Sequence, residues 1–225
     1  MRKIEFWYSI GSTYTYLSTQ RLAQIETENE VVFEWCPFSV RSRMIEMENV
    51  PFMAEKKRDK IDYMWRDVQR RANFYGFDAK VPAPYPLKEF DLANKVAILG
   101  KDQGWIKEYT ILTYKKWFLE HLEPGSEPNL SSTLKEIGLD SDNVIKQAQT
   151  DEIEQKYLKN TEMAKNKGIF GSPTFIVENE VFWGDDRCED AIPFSSAASA
   201  VAPYCRISGF ESRTHAASSG MSTGT

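Results

Sequence analysis

The chain has 225 residues, of which 41% are hydrophobic and 13% aromatic, enough to bury a core in one domain or in one domain with an insert. Its net charge is −5, from 28 basic and 33 acidic side chains, and no basic stripe appears, which argues against a nucleic-acid partner. No apolar run approaches the ~20 residues that a membrane-spanning helix needs, so we expect no membrane association.

The three cysteines, Cys36, Cys188 and Cys205, are odd in number and far apart in the sequence. They form neither a disulfide framework nor a metal-binding pattern, so we expect no metal site. The N-terminal Met1-Arg2-Lys3 leads directly into a predicted strand rather than into the apolar core of a signal peptide. Together these features predict a reducing, cytoplasmic setting.

The N-terminal pattern predicts a β-α-β unit. Residues 3–10 form a candidate strand, and residues 13–28 place apolar side chains at helical spacing. Residues 31–36 form a second apolar strand, which Pro37 ends. A strand, a helix and a second strand in this order favour parallel pairing of the two strands.

The middle of the chain, residues 41–166, is predicted to be helical except for a rigid connector at Pro82, Pro84 and Pro86. In residues 57–77, for example, apolar side chains recur at steps of three and four. Strand patterns return at residues 174–177 and 181–183, on either side of a polar turn, which is typical of a hairpin.

The order β-α-β, helices, β-β predicts an α/β fold in which a thioredoxin-like domain is interrupted by an all-helical insert. The domain would comprise residues 1–40 and 167–192, and the insert residues 41–166. Residues 193–225 are rich in Ser, Ala and Gly, and we expect them to form a loosely ordered tail.

A short segment before the third strand, Gly171-Ser172-Pro173-Thr174-Phe175, supports this fold. In thioredoxin-type folds a proline at this place is usually cis and faces the start of the first helix, and X–Pro bonds adopt cis at little cost. Redox members carry Cys-x-x-Cys at that helix, whereas this chain has Ser12-Thr13-Tyr14-Thr15. The scaffold is therefore predicted without the redox dithiol, and any reactive thiol must arrive with a ligand.

Ser12 has two interpretations. It is either an ordinary helix N-cap, a position that serine favours, or the donor of a hydrogen bond to the sulfur of a bound thiolate. The start of a helix carries a partial positive charge and stabilises such a thiolate. A serine hydroxyl would activate the bound thiol without being oxidised by it.

Two further segments each have an ordinary and a functional interpretation. Pro173 either opens a strand or turns the Ser172 backbone toward a peptide ligand, which would pair as an added strand. In the run Gly184-Asp185-Asp186-Arg187, aspartate either caps a helix beside a solvated arginine or holds the amino group of a ligand. Helix N–H groups would then hold the carboxylate of that ligand.

These segments together resemble the kappa-class glutathione transferase family, and within it the 2-hydroxychromene-2-carboxylate isomerases. The likeness spans roughly residues 3–190. This chain departs from the family at Thr13, where proline is usual, and after Pro193, where the family continues as a helix. The matching segments are Phe6-Trp7-Tyr8 with Ser12 and Tyr16-Leu17, Asn49-Val50-Pro51, Lys60-Ile61-Asp62-Tyr63, Gly168-Ile169-Phe170-Gly171-Ser172-Pro173-Thr174-Phe175 and Phe182-Trp183-Gly184-Asp185-Asp186-Arg187.

The resemblance implies glutathione as the cofactor and a homodimer as the assembly. It assigns Ser12 to the glutathione sulfur, as the catalytic residue, and Ser172 with Pro173 to the backbone of the glutathione cysteine. It assigns Asp186, with its neighbours, to the γ-glutamyl end. The full set of glutathione-binding residues implied in this way is Ser12, Asn49, Lys60, Ser172, Pro173, Asp185, Asp186 and Arg187. Of these, Asn49 and Lys60 would lie near other polar groups of glutathione or near the acidic substrate.

The isomerase chemistry implied by the resemblance is thiolate addition, bond rotation and elimination on the ring-opened, α,β-unsaturated ketone form of a chromene carboxylate. Transferase members of the family use the same thiolate on other electrophiles. A non-catalytic glutathione-binding module is a third interpretation, because a fold does not fix a function. A thiol–disulfide oxidoreductase is disfavoured, because attack on a disulfide needs a protein thiolate and residues 12–15 contain no cysteine.

Overall fold

The structure, a computed structural model, describes residues 1–49 and 57–197. Most of the predicted tail, residues 198–225, and the matched residues Val50 and Pro51 lie outside these ranges. Within the described ranges, no helix combines the length and the apolar character needed to cross a membrane.

The predicted β-α-β unit is confirmed at the N-terminus. It consists of β1 (Arg2–Tyr8), α1 (Thr15–Asn29) and β2 (Val31–Pro37). The two strands pair in parallel, in a register that places Phe6 beside Trp35. Parallel strands need a crossover connection, which α1 provides.

Helices alone occupy the described residues between β2 and the third strand, as predicted for the insert. Proline-rich turns separate the second and third of these helices, and Val81–Pro82 and Tyr85–Pro86 are cis there. The helices are α2 (Val40–Glu46), α3 (Arg58–Phe74), α4 (Phe90–Gln103), α5 (Ile106–Glu120), α6 (Asn129–Glu136), α7 (Ser141–Ala148) and α8 (Asp151–Asn166).

The chain then returns to the sheet through a hairpin, as predicted. β3 (Thr174–Val177) pairs antiparallel with β1, and β4 (Glu180–Trp183) pairs antiparallel with β3. The strand order in the sheet is β2-β1-β3-β4. The predicted α/β class with a helical insert is therefore confirmed.

A 3₁₀ turn (Asp185–Arg187) and α9 (Cys188–Ala197) follow β4. Pro193 lies inside α9, so the expectation of a loosely ordered chain from residue 193 onward is wrong for residues 193–197. The predicted domain boundaries stay a prediction. Pro193 is the sixth residue of α9, past the first four positions whose N–H groups lack a helical partner, so it removes one hydrogen bond of the helix. The helix nevertheless continues to Ala197.

Aromatic packing fixes the helical insert against the sheet domain. Phe6 stacks with Phe175 across β1 and β3, with ring centroids 5.4 Å apart. Tyr16 of α1 stacks on Phe118 of α5, with centroids 4.2 Å apart and rings tilted by only 3°. All four side chains are buried. The start of α1 is thus held between the sheet and the insert, which is where the candidate site lies.

Candidate functional site

Ser12 lies in the turn between β1 and α1. The N-cap position of α1 belongs to Tyr14, and no side chain caps this end, so the interpretation of Ser12 as an N-cap is wrong. The Ser12 hydroxyl donates instead to the carbonyl oxygen of Ser172, at 2.6 Å. Tertiary structure therefore joins the two segments that the sequence analysis singled out separately.

The Ser172–Pro173 peptide bond is cis, as predicted. Ser172 is held by hydrogen bonds on its side chain as well as on its backbone. Its hydroxyl oxygen accepts from the backbone N–H of Ser9 at 2.9 Å and shares a hydrogen bond with the Thr15 hydroxyl at 2.9 Å. These contacts tie the loop before β3 to both ends of the β1–α1 turn, so the position of the Ser172 carbonyl is set by the fold.

A tyrosine of the helical insert supports the same turn from the interior. The hydroxyl of buried Tyr114 in α5 lies 2.9 Å from the carbonyl oxygen of Ser9 and 3.0 Å from that of Ser12. Burial raises the pKa of Tyr114 far above its ordinary value, so the hydroxyl keeps its proton and acts as a donor. Sequence reasoning missed this residue, because helical spacing identifies a buried aromatic ring but not the direction of its hydroxyl.

Gly184 brings the Asp-Asp-Arg segment to the same place. Its N–H donates to the carbonyl oxygen of Pro173 at 2.9 Å. Its φ is +114°, a backbone conformation that residues with a Cβ rarely adopt, and an added Cβ would also lie 2.6 Å from the Asp186 carboxylate, so glycine is favoured here. Gly184, not an aspartate, occupies the N-cap position of the 3₁₀ turn, and the helix-cap interpretation of the aspartates is wrong there.

Asp185 is buried and its carboxylate is fully engaged by the fold. One oxygen accepts from Arg21 at 3.0 Å and from the Ser18 hydroxyl at 2.9 Å, and the other accepts from the Tyr75 hydroxyl at 2.9 Å. Burial raises the pKa of Asp185, and the pair with Arg21 and the two hydroxyl donors oppose this shift. This carboxylate therefore links α1, the end of α3 and the 3₁₀ turn.

Asp186 and Arg187 are exposed, unlike Asp185. Arg187 contacts Asp186 at 3.4 Å and Asp190 at 2.8 Å, and these side chains are all more than half exposed. Such surface pairs are worth at most about 1 kcal/mol, so Asp186 is free to exchange its partner for a ligand. Asp186 borders the cleft described next, whereas Arg187 does not.

These segments form one wall of a cleft with a volume of about 470 Å³. The opposite wall comes from α3 of the insert, which contributes Tyr63, Asp67 and Arg71. Asp67 accepts from the Tyr14 hydroxyl at 3.0 Å and from Arg70 at 2.9 Å. The described residues that line the cleft are Tyr14, Leu17, Tyr63, Asp67, Arg71, Ser172, Pro173, Trp183, Gly184, Asp185 and Asp186.

Four predicted site residues do not line this cleft: Ser12, Asn49, Lys60 and Arg187. Ser12 reaches the cleft through its hydrogen bond to the carbonyl of Ser172, which does line it. Asn49 is exposed after α2, where its backbone N–H donates to Met44 at 2.8 Å, and Lys60 is exposed in the first turn of α3. Their contact with glutathione or substrate stays a prediction.

A second cavity, of about 560 Å³, lies between α1 and α9. None of the predicted site residues lines it, although Arg21 and Tyr75, which contact Asp185, do. Its described lining is Arg2, Gln20, Arg21, Gln24, Ile25, Glu28, Asn29, Tyr75, Phe77, Glu189, Ile192 and Pro193. The smaller cleft, which adjoins Ser12, is the one whose groups suit thiol chemistry.

Comparison with known proteins finds relatives of similar sequence and fold. The model of the DSBA-like thioredoxin domain matches residues 3–191. A 2-hydroxychromene-2-carboxylate isomerase of Sphingobium xenophagum is 23% identical over 188 residues, which cover 84% of this chain and 95% of that protein. A second one, from Pseudomonas putida, is 22% identical over 184 residues, or 82% of this chain and 89% of that protein.

Solved structures show the same fold. That of a 2-hydroxychromene-2-carboxylate isomerase superposes with a TM-score of 0.76 at 22% identity, covering 88% of this chain and 98% of the other. The predicted resemblance to these isomerases is thereby confirmed as a similarity of sequence and fold. The match over residues 3–191, together with the β2-β1-β3-β4 sheet and the cis Pro173, shows that this chain belongs to the family of DSBA-like thioredoxin domains.

Proposed function

We propose that this protein is a glutathione-dependent isomerase of 2-hydroxychromene-2-carboxylates or closely related aromatic degradation intermediates. The observation that carries the proposal is the contact between the Ser12 hydroxyl and the Ser172 carbonyl, in a fold that has no cysteine at residues 12–15. This contact places a hydroxyl group, which can donate to a sulfur, beside a main-chain carbonyl, which can accept from a peptide N–H. Recognition of a cysteine-containing peptide requires both groups. The curated relatives named as isomerases support the reaction class.

The residues present fit glutathione. The cleft volume of about 470 Å³ falls in the range of about 300–1,000 Å³ that small-molecule sites occupy. The Ser172 carbonyl provides a main-chain acceptor, and Asp186 provides an exposed carboxylate suited to an ammonium group. Ser12 and Ser172 would hold the cysteine, and Asp186 the γ-glutamyl end.

Bound glutathione would supply the thiolate that adds to the double bond of the ring-opened substrate and leaves again after bond rotation. The hydroxyl of Ser12 would donate to the sulfur and favour its ionised form. Tyr114 would keep the Ser12 backbone in place while the hydroxyl changes partner. Trp183 and Tyr63, both on the cleft, would offer aromatic surface to the substrate ring.

A protein thiol does not serve this role among the described residues. Cys36 and Cys188 are both buried. Burial raises the pKa of Cys36 to about 11 and that of Cys188 higher still, so neither is a thiolate near neutral pH. The burial of these two thiols supports a nucleophilic sulfur that is supplied by a bound thiol.

The proposal is tested by incubating the pure protein with a chromene carboxylate and, separately, with an aryl halide, each with and without glutathione. We expect the chromene carboxylate to isomerise only when glutathione is present, with no net loss of glutathione. Product formation is followed by liquid chromatography, and free thiol by titration.

Other outcomes would identify the alternatives. Stoichiometric consumption of glutathione by the aryl halide, without chromene isomerisation, would replace the isomerase by a kappa-type transferase. Glutathione binding in calorimetry without turnover of either compound would indicate a non-catalytic binding module.

A further inference from the structure

The described part of the cleft contains one cation that is not neutralised by a carboxylate. Arg71 lines the cleft from α3 and is half-buried. The carboxylates on the cleft each have a cationic partner: Asp185 pairs with Arg21, Asp67 with Arg70, and Asp186 with Arg187. Arg71, in contrast, pairs with no carboxylate among the described residues.

Arg71 is held in place by aromatic groups. Its guanidinium donates to the Tyr75 hydroxyl and lies 4.6 Å from the centre of the Tyr75 ring and 5.4 Å from that of Phe74. The Tyr75 hydroxyl in turn donates to buried Asp185 at 2.9 Å. These contacts restrict the side chain without neutralising its charge, so much of the entropic cost of ordering an arginine is met before a ligand binds.

We propose that Arg71 is the carboxylate-binding residue of this cleft. A guanidinium offers parallel N–H donors that match the two oxygens of a carboxylate, and it discriminates better than a lysine ammonium. The inference rests on the proposed function, because that function brings two sources of carboxylate to the cleft. One source is glutathione, and the other is the acidic substrate.

The test compares the wild type with Arg71→Gln, Arg71→Met and Arg71→Lys. Arg66→Gln is the matched control, since Arg66 is an exposed arginine of the same helix that does not line the cleft. Calorimetry measures the affinity for glutathione, and steady-state kinetics at saturating glutathione measure the KM for the chromene carboxylate. Circular dichroism shows which variants are folded. If Arg71→Gln does not fold, Arg71→Met is the variant to use, because its side chain preserves the aliphatic contacts of the arginine.

We expect either the affinity for glutathione or the KM for the chromene carboxylate to worsen by roughly 10- to 100-fold in Arg71→Gln and Arg71→Met, as loss of a charge-assisted hydrogen bond predicts. Arg71→Lys should recover part of the loss, and Arg66→Gln should behave as the wild type. A change in the affinity for glutathione alone assigns Arg71 to a carboxylate of glutathione. A change in the KM for the chromene carboxylate alone assigns it to the substrate.

Two results would overturn the inference, and they differ. If the wild type binds glutathione and isomerises the chromene carboxylate, and Arg71→Gln and Arg71→Met do so equally well, the role of Arg71 is refuted and the proposed function stands. A wild type with neither glutathione binding nor turnover would refute the proposed function and, with it, this inference.

Discussion

The hydroxyl of Ser12 donates to the carbonyl oxygen of Ser172 at 2.6 Å, across 160 positions of the sequence. A hydroxyl carries a single proton, so Ser12 can donate to a bound sulfur only by turning away from this carbonyl. A main-chain N–H of a bound peptide would then take the place of the hydroxyl at Ser172. The same contact thus links recognition of the ligand backbone to activation of the ligand sulfur.

Ser12→Ala should lower kcat by about 10²–10³, the loss typical when one donor to a developing charge is removed. Its effect on the free energy of unfolding should be only about 1 kcal/mol, the net value of one hydrogen bond. Steady-state kinetics and urea unfolding measure the two quantities. Ser132→Ala is a matched control, because the Ser132 hydroxyl also donates to a backbone carbonyl, at 3.1 Å, away from the cleft. An unchanged kcat in Ser12→Ala would remove Ser12 from the mechanism.

Asp186→Ala should weaken glutathione binding by roughly 10- to 100-fold, because a charge-assisted hydrogen bond contributes about 1.5–3 kcal/mol. Asp190→Ala is the control: Asp190 is equally exposed and also pairs with Arg187, but it does not line the cleft. Isothermal titration calorimetry compares the two variants. Equal affinities would show that Asp186 does not contact the ligand.

Asp185→Asn should act on stability rather than on ligand contact. The change leaves the buried guanidinium of Arg21 without its buried carboxylate, and breaking a buried pair costs about 3–5 kcal/mol. Asp186→Asn, one residue along, should change the free energy of unfolding by no more than about 0.5 kcal/mol. Urea unfolding of both variants decides the matter, and equal losses would mean that Asp185 is not part of the structural frame.

Gly171→Ala should displace the indole of Trp183, because an added Cβ would overlap the indole Nε1. Trp183 lines the cleft, so we expect a changed tryptophan fluorescence and a loss of activity. In the double variant Gly171→Ala/Trp183→Ala the overlap is absent, and its free energy of unfolding should match that of Trp183→Ala alone. Strict additivity of the two single changes would contradict a direct clash.

The thiols of Cys36 and Cys188 should be unreactive in the folded protein. Cys205 lies outside the described residues, so the experiment uses Cys205→Ser. We expect no reaction with a disulfide reagent at pH 8 in the native state and two thiols per chain in urea. Since burial raises the pKa of Cys36 to about 11, raising the pH to 9 should give little additional reaction. Rapid native labelling would show that a thiol is accessible.

The raised pKa of Cys36 also determines whether the free energy of unfolding rises or falls with pH. The pKa of Cys36 is raised in the folded state, so above the usual value of about 8.5 the unfolded chain loses its proton first. The native state then binds more protons than the unfolded state, and the free energy of unfolding falls as pH rises. Buried Tyr8 and Tyr109, whose pKa values burial also raises, contribute in the same direction. Urea unfolding at pH 8 and pH 10 tests this, and greater stability at pH 10 would contradict it.

The order of strands and helices and the segments of the site could be predicted from local patterns in the sequence. Apolar residues repeat every two positions in a strand and every three to four in a helix, so their spacing indicates the type of element and its buried face. Pro173 and Gly184 indicate turns because of their own backbone preferences. These signals are local, so the β-α-β unit, the helical insert and the candidate segments around Ser12, Pro173 and Asp186 could be predicted without a structure.

The contacts of individual polar side chains, in contrast, depend on the folded structure. Asp185 and Asp186 are adjacent in a 3₁₀ turn, where successive side chains point about 120° apart, so one is buried against Arg21 and the other faces the cleft. Helical spacing placed Arg71 and Tyr114 on helices of the insert but could not show that one lines the cleft and the other holds the Ser12 turn. Such roles depend on which distant segment packs opposite, and this is fixed by the assembled core rather than by neighbours along the chain.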